Sequence, residues 1–489
     1  MTQEAKPVAD RVIVAVFDGL RPDMVTPELT PNMMRLAARG TWFREARSVF
    51  PSVTRVATTS IASGAPPTVH GIIGNAFYHP AAFPDRVFDT GRIEHIRRAE
   101  AAHEGRFVDA ETLGDVLAGA GRRLAVVHTG SGGSAHMISP RARANGHWTF
   151  SVHGPDATQT PEAVAEAVQR IGPLPERELP RLPDARYAGQ VMTDHVLPIL
   201  RPDVALVWFN EPDTSFHYRE IGSDDSKRAL AEADAAFGRI LDWVENEPDA
   251  ERIAVIAASD HGQIATSAAD PLFADAGSAG FAIGERDALA DAAFVATGGR
   301  SGEIRLLGGD RAALSRLAAW LMEHPAVGHV FARGRNEVDG ELPGTLSLDL
   351  VGQGHARQAD LMFVLKSDVA DDRYGLPGRG LMTPGDVPVG GGMHGGLNPH
   401  ELNTVLIVGA ETAEGRGMRS SAPAGIIDIA PTVLGLLGLP PAPTMVGRNL
   451  ALPPRAEPKV TRFSAESGAF LQHVDMVEQD GRRFIVGGH

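Results

Sequence analysis

The sequence predicts an α/β fold in which a mainly parallel sheet is covered by helices on both faces. Three observations carry this. Short β-branched runs are apolar throughout rather than alternating, as strands buried on both sides must be. Amphipathic stretches separate them, and this strand–helix alternation is that of a parallel sheet. Nearly every strong run ends in an acidic residue or a histidine, at the edge where open parallel sheets bind ligands.

The runs are RVIVAVF (11–17), RLAVV (123–127), DVALVWF (203–209), RIAVIAA (252–258) and NTVLIV (403–408), all read as parallel strands. Helices are predicted over 31–39, 55–63, 109–119, 160–171, 185–199, 226–245 and 428–437. The last begins IDIAPT, with proline near the first turn, where its missing N–H leaves no bond unmade. The rhythm changes in AAFVATG, GEIRLLGG, DRAALSRLAAWLMEHP, VGHVFARG and ADLMFVLK, which read as a compact βαβ-like unit. We therefore expect an inserted α+β cap over 265–390, between a first core part (1–264) and a second (391–489). The Gly- and Pro-rich stretch 371–392 reads as loop. HTGSGGS (128–134) reads as a flexible loop, because it lacks the lysine of a Walker loop. The last 35 residues predict one short strand, RRFIVGG.

A net charge of −15 disfavours nucleic acid polymers, which need a basic surface. It leaves room for a small anionic substrate, since bound metal reverses the local sign. The absence of cysteine excludes a disulfide framework, thiolate zinc sites, a cysteine nucleophile and a cysteine-derived formylglycine. No run approaches the roughly 18 apolar residues of a membrane span, and the first residues lack a secretory pattern. The expectation is a cytoplasmic protein without membrane contact. The composition leaves the oligomeric state open, a homo-oligomer included.

Seven residues of metal-binding types stand at the edges of predicted strands or helices: Asp18, Thr54, Asp213, His217, Asp260, His261 and His394. A lone Asp after a strand is usually a turn or cap residue; this many such residues together point to a metal centre. Asp213 and His217, four apart, share one face of a helical turn. Asp260 and His261 ligate from successive positions, and Gly262 permits a tight turn. His394 lies among five glycines, in GGGMHGG, which allow close approach. Carboxylates and neutral imidazoles suit zinc, and manganese or iron less decisively. Two metals about 4 Å apart polarise a phosphoryl oxygen, activate a nucleophile and stabilise the leaving oxygen. Thr54, in FPSVT at a helix start, is the candidate nucleophile; its plain alternative is an N-cap.

The pieces FDGLRPD, FPSVTR, SGAPPTVHGIIGN, NEPDTSFH, SDHG, GGMHGG and DIAPTVLGLLG resemble the alkaline phosphatase superfamily. The likeness is to its nucleotide pyrophosphatase/phosphodiesterase branch and also to phosphonoacetate hydrolase. It implies an alkaline-phosphatase-like three-layer α/β/α core and two divalent metal ions. Asp18, Thr54, Asp260 and His261 would hold one ion, and Asp213, His217 and His394 the other. Thr54 would attack phosphorus to form a covalent intermediate, and Asn75 would help hold the phosphoryl oxygen. Phe77 and Tyr78 are candidates to stack on a flat leaving group, with core packing as the alternative. Arg55 is a candidate anion contact; Lys227 and Arg228 read rather as solvated charge. The implied function is a phosphodiesterase or nucleotide pyrophosphatase acting on a small phosphorylated or phosphonylated substrate. Alternatives are a phosphonate or phosphomonoester hydrolase, a metal-dependent phosphomutase, and a silent binding protein, which would have no reason to keep all seven residues.

Overall fold

The computed structural model describes residues 7–410, 412 and 415–488. Eight strands form the central sheet: β1 (Arg11–Phe17), β2 (Thr41–Phe43), β3 (Leu124–His128), β4 (Trp148–Ser151), β5 (Val204–Phe209), β6 (Ile253–Ala258), β7 (Leu406–Gly409) and β8 (Met418–Ser420). Their order is β8-β2-β7-β6-β1-β5-β3-β4. All lie parallel except β7, which pairs antiparallel with both β6 and β2. The run at 403–408 therefore forms a strand, but of opposite direction to the one expected. A continuous apolar run reports burial of both faces and carries no information about direction.

Alternate residues of each strand enter two separate cores. Ile13, Ala15 and Phe17 with Ala205, Val207 and Phe209 pack under the helices Leu182–Val191 and Asp224–Glu245. Val12, Val14 and Val16 with Leu206 and Trp208 pack under Thr54–Ser63 and Ile429–Leu436. This is the three-layer arrangement, produced by the period of two along each strand. The helix at 182–191 continues as a wide π-type segment over Met192–Leu200, which contains Pro198. Lys227 and Arg228 lie on the exposed face of Asp224–Glu245, and Arg228 pairs with Asp225.

Residues of the inserted interval build two further sheets. In one, Ser301–Leu306 and Val327–Ala332 flank Leu361–Leu365, both antiparallel to it, with the helix Arg311–Glu323 crossing between them. In the other, Ile264–Ala269 pairs with Pro377–Met382 and with Gly392–Met393. The stretch 371–392 is therefore not all loop: glycines that read as breakers lie in Pro377–Met382, where Gly378 adopts φ +103° against Ile264. HTGSGGS is not a flexible loop either. It closes β3 and starts the helix Gly132–Met137, which Ser131 caps by accepting from the Ser134 amide. The end of the chain forms three antiparallel strands, Lys459–Ser467, Phe470–Gln479 and Arg482–Gly488, rather than one. The first two meet across a tight turn between Ser467 and Phe470, and the Gln472 amide locks them onto the Val330 backbone of the inserted interval.

Candidate active site

The register of the central strands makes the site. Phe17 is opposite Phe209 and Val16 is opposite Ala258, so the chain leaves β1, β5 and β6 at one edge of the sheet. Asp18, Asp213 and Asp260 follow there, and all three are buried. Gly19 lets the backbone turn between them at φ +70°; a Cβ there would lie 2.7 Å from Gln263 Nε2. Gly262 serves closeness rather than a left-handed turn, since a Cβ would meet the His400 carbonyl at 2.2 Å.

Each acid has one oxygen fixed by donors. Trp208 Nε1 donates to Asp18 Oδ2 at 3.0 Å. The amides of Gly19 and His261 donate to Asp260 Oδ1, both at 3.0 Å. Asp18 Oδ1 and Asp260 Oδ2 are buried without a hydrogen-bond partner among the described residues. Both lie against His261 Nε2, at 3.5 and 3.3 Å. A buried carboxylate oxygen without a donor is costly unless a cation faces it.

The histidines are oriented for the same partner. The Nδ1 atoms lie on backbone carbonyls: His261 on Gly262 at 3.1 Å, His217 on Gly392 at 2.6 Å, and His394 on Ser52 at 2.8 Å. A ring that donates from Nδ1 presents a bare Nε2 lone pair, the state a metal requires. His217 Nε2 and His394 Nε2 lie 3.3 and 3.6 Å from Asp213 Oδ1, and the His261 and His394 rings stack at 3.7 Å. Ligand atoms of Asp18, Asp260 and His261 fit one ion, and those of Asp213, His261 and His394 a second. His261 thus stands between the two groups, and His217 joins the second through Asp213. The orphaned carboxylate oxygens and the imidazole Nε2 atoms that converge on the acids are a donor set that fits divalent metal.

Charge crowding without a cation is reflected in the acids themselves. Burial, then the Asp260 and Asp213 charges, push the Asp18 carboxyl well above its ordinary range. Burial also raises Asp260. Burial acts upward on Asp213 too, but His217, then His394 and His261, outweigh it and hold that carboxyl low. In return Asp213 raises His217 despite its burial.

Thr54 is the first residue of the helix Thr54–Ser63, whose N-cap, Val53, offers no side-chain acceptor. Its buried Oγ1 lies 3.2 Å from His261 Nε2. The Asn75 Oδ1 accepts from the Arg55 amide at 3.0 Å, which seats this half-buried side chain at the same helix start. Its Nδ2 has no protein acceptor among the described residues. Arg55 turns its Nε to Thr90 Oγ1 at 3.4 Å; burial lowers its pKa, against the charges of Asp89 and the three site acids.

Of the two aromatic candidates, Phe77 takes the core-packing alternative. Phe77 is fully buried, edge-on to Phe88 in a cluster with Ile72 and Phe107, so it is core and stacks on no ligand. The Tyr78 hydroxyl donates to the Pro84 carbonyl at 3.0 Å and its amide to Glu303 of the cap, so this residue fastens two segments. Residues that the motifs did not single out do contribute. Gln263 Nε2 donates to Asp213 Oδ1, and Trp208 orients Asp18. Position beside SDHG, or one before a strand end, was the available signal. A cavity of about 240 Å³ between core and cap is lined by Ala76, next to Asn75, and Met393, next to His394, with Arg286 and Gly298 from the cap.

Comparison with known proteins places this geometry. The fold is similar to phosphonoacetate hydrolase from Sinorhizobium meliloti in complex with phosphonoformate, with a TM-score of 0.61 and 19% identity over 88% of this chain and 96% of that one. It is similar as well to murine ectonucleotide pyrophosphatase/phosphodiesterase 5, an inactive variant in complex with AMP, with a TM-score of 0.59 and 16% identity over 89% of this chain and 96% of that one. Over 69 residues the chain is 38% identical to an uncharacterized pyrophosphatase/phosphodiesterase of Schizosaccharomyces pombe, a match spanning 14% of either protein. Residues 12–297, more than half of the sequence, running from the second residue of β1 past the end of β6, match one family throughout. The chain belongs to the Type I phosphodiesterase / nucleotide pyrophosphatase family.

Proposed function

We propose that this chain is a two-metal hydrolase of phosphorus esters, acting on phosphodiesters or nucleotide pyrophosphates through a covalent intermediate on Thr54. The observation that carries the reading is the placement of Thr54 Oγ1, at an uncapped helix start and 3.2 Å from the histidine shared by two buried donor groups. Asp18, Asp260, His261 and Thr54 would hold one divalent ion, and Asp213, His217 and His394 the other, zinc fitting this donor set better than manganese or iron. Bound there, the ions supply nucleophile activation and charge neutralisation at phosphorus.

The protein's own groups do the rest. Helix-start amides and the Asn75 Nδ2–H bind phosphoryl oxygens, where developing charge is best stabilised by fixed donors. Thr54 Oγ1 forms the bond to phosphorus as the bond to the leaving oxygen breaks. Water then breaks the Thr54–phosphorus bond, returning the threonine hydroxyl and releasing the second product. The cavity beside Ala76 and Met393 has room for one modest organic group of the substrate. Its Arg286 favours a second reading, a phosphonate whose carboxylate needs a cation.

The test is a panel of aryl phosphodiesters, aryl phosphomonoesters, nucleotide pyrophosphates and phosphonoacetate, compared by kcat/KM. Diester or pyrophosphate preference supports the first reading, and a monoester or phosphonate preference overturns it. Thr54→Ala should abolish turnover while metal content and melting temperature persist; retained turnover would remove Thr54 as the nucleophile.

A further inference from the structure

His394 stands in a loop that cannot hold itself in place. Its neighbours in GGGMHGG, residues 390–396, are five glycines, and glycine leaves the backbone free to take many conformations. Productive geometry at a metal-binding side chain tolerates about 0.5 Å, so the constraint has to come from outside the loop. One side is held by Ser52, whose carbonyl orients the His394 ring and whose hydroxyl accepts from the Gly395 amide at 3.2 Å.

The other side is held by the inserted interval. The Ser301 hydroxyl donates to the Gly395 carbonyl at 2.6 Å. The adjoining Arg300 is fully buried and paired with Glu401, which is equally buried. Its Nε lies 3.3 Å from Glu401 Oε1, and its Nη2 donates to Oε2 at 3.4 Å. Arg300 Nη1 donates to the Lys366 and Leu381 carbonyls, which fixes the guanidinium to two further segments of the interval. Glu401 in turn accepts from the Gly396 amide at 2.8 Å. Its own carbonyl accepts from the amide of Gly262, next to His261, at 2.9 Å. A Cβ on Gly396 would lie 2.7 Å from Glu401 Oε2 and 3.2 Å from Arg300 Nη2, so glycine is needed for this approach.

Glu401 also belongs to the capping box of the short helix Pro399–Leu402, where it accepts from the Asn398 amide at 3.3 Å. Capping accounts for that bond alone. It requires neither the bond to Gly396 nor a buried arginine from a distant part of the chain. Taking two charges out of water is costly, and what this pair secures is the backbone two residues beyond His394.

We propose that Arg300, Ser301 and Glu401 are positioning residues for His394, so that the inserted interval completes the second metal position. They act through the backbone of Gly395 and Gly396 and stand outside the donor set. The inference rests on the two-metal reading above and adds to it a requirement for residues that hold no metal themselves.

The experiment titrates the chelator-treated whole chain with cobalt(II), following visible absorption and bound ions per chain. Ser301→Ala removes one hydroxyl at the half-buried start of a strand and should keep its melting temperature. Ser301→Thr returns the hydroxyl. The parent should bind two ions. Ser301→Ala should weaken one of them about tenfold or more, shift its absorption and leave the other unchanged, and Ser301→Thr should restore both affinity and spectrum. Glu401→Gln, which keeps the shape and one acceptor oxygen, should weaken the same ion. In a His394→Ala background Ser301→Ala should have no further effect, because residues acting as one unit are not additive. Two ions bound by the parent with affinities unchanged in Ser301→Ala and Glu401→Gln, or a full additional loss on top of His394→Ala, would overturn the inference and leave the two-metal reading standing. A parent that binds no ion would overturn that reading, and the inference with it.

Discussion

Asp18→Asn should act with opposite sign on the metal-free and the metal-loaded protein. Asp18 is buried, its Oδ2 accepts from Trp208 at 3.0 Å, and its Oδ1 has no donor. Burial and two neighbouring acids raise its pKa. A carboxyl raised in the folded state binds its proton more tightly there than in the unfolded chain. Its contribution therefore favours folding at low pH and is lost as pH rises from about 4 through the folded value. Asparagine keeps a carbonyl for Trp208 and cannot ionise. In chelator, the variant should approach the parent at acid pH and exceed it at alkaline pH by about 1–4 kcal/mol, the gain when buried charged groups are replaced by uncharged groups of similar volume. At about 2 °C per kcal/mol for a chain of this size, that is a rise of roughly 2–8 °C in Tm. With divalent metal added the order should reverse, because Asp18→Asn removes an anionic member of the donor set. Thermal unfolding at three pH values, with chelator and with zinc, reads both effects. If Asp18→Asn lowers Tm equally in both conditions, Asp18 is a structural acid and the metal argument fails.

Other outcomes follow from the same contacts. Trp208→Phe keeps the stacking on His128 at 5.3 Å but deletes the donor to Asp18; metal affinity by competitive chelation should fall about 10–100-fold, with activity recovered at saturating metal. Asn75→Ala should lower kcat about 100–1,000-fold while the melting temperature holds; an unchanged kcat would remove Asn75 from the phosphoryl site. Phe77→Ala should cost about 3–5 kcal/mol of stability without altering the ratio of aryl to alkyl diester hydrolysis, whereas a selective loss of aryl substrates would return Phe77 to the substrate pocket. Gly19→Ala forces a side chain to φ +70° and into Gln263; the strain, about 1–3 kcal/mol, should appear as loss of metal and of turnover together.

What could be read without coordinates was what period and position encode. The five apolar runs became central strands, and Asp18, Asp213 and Asp260 came together because parallel strands in register end side by side. The direction of β7 was not legible, because direction leaves no mark on a doubly buried run. The role of Phe77 was not legible either: an aromatic two residues after Asn75 sits on the same stretch whether it faces ligand or core, and only the Phe88 and Phe107 rings decide it. The sharing of His261 between two acid groups depends on angstrom distances that spacing does not contain. The carbonyl that orients His394 belongs to Ser52, 342 residues away in sequence.

The inserted interval leaves the core and returns through one narrow neck, where Ile264 pairs with Met393 and Ala265 with Gly392. The excursion therefore begins and ends at adjacent points, and doubling its length would add only about 0.6 kcal/mol of closure entropy. The interval is not detached from what lies below it, because Gln353 donates to the Phe50 carbonyl and Arg357 to those of Gly71 and Phe107. The neck is also a lever. Gln263 and His394 stand immediately outside the paired residues, and both reach Asp213. Any displacement of the interval at the neck is delivered first to that carboxylate, and through it to His217 and His394.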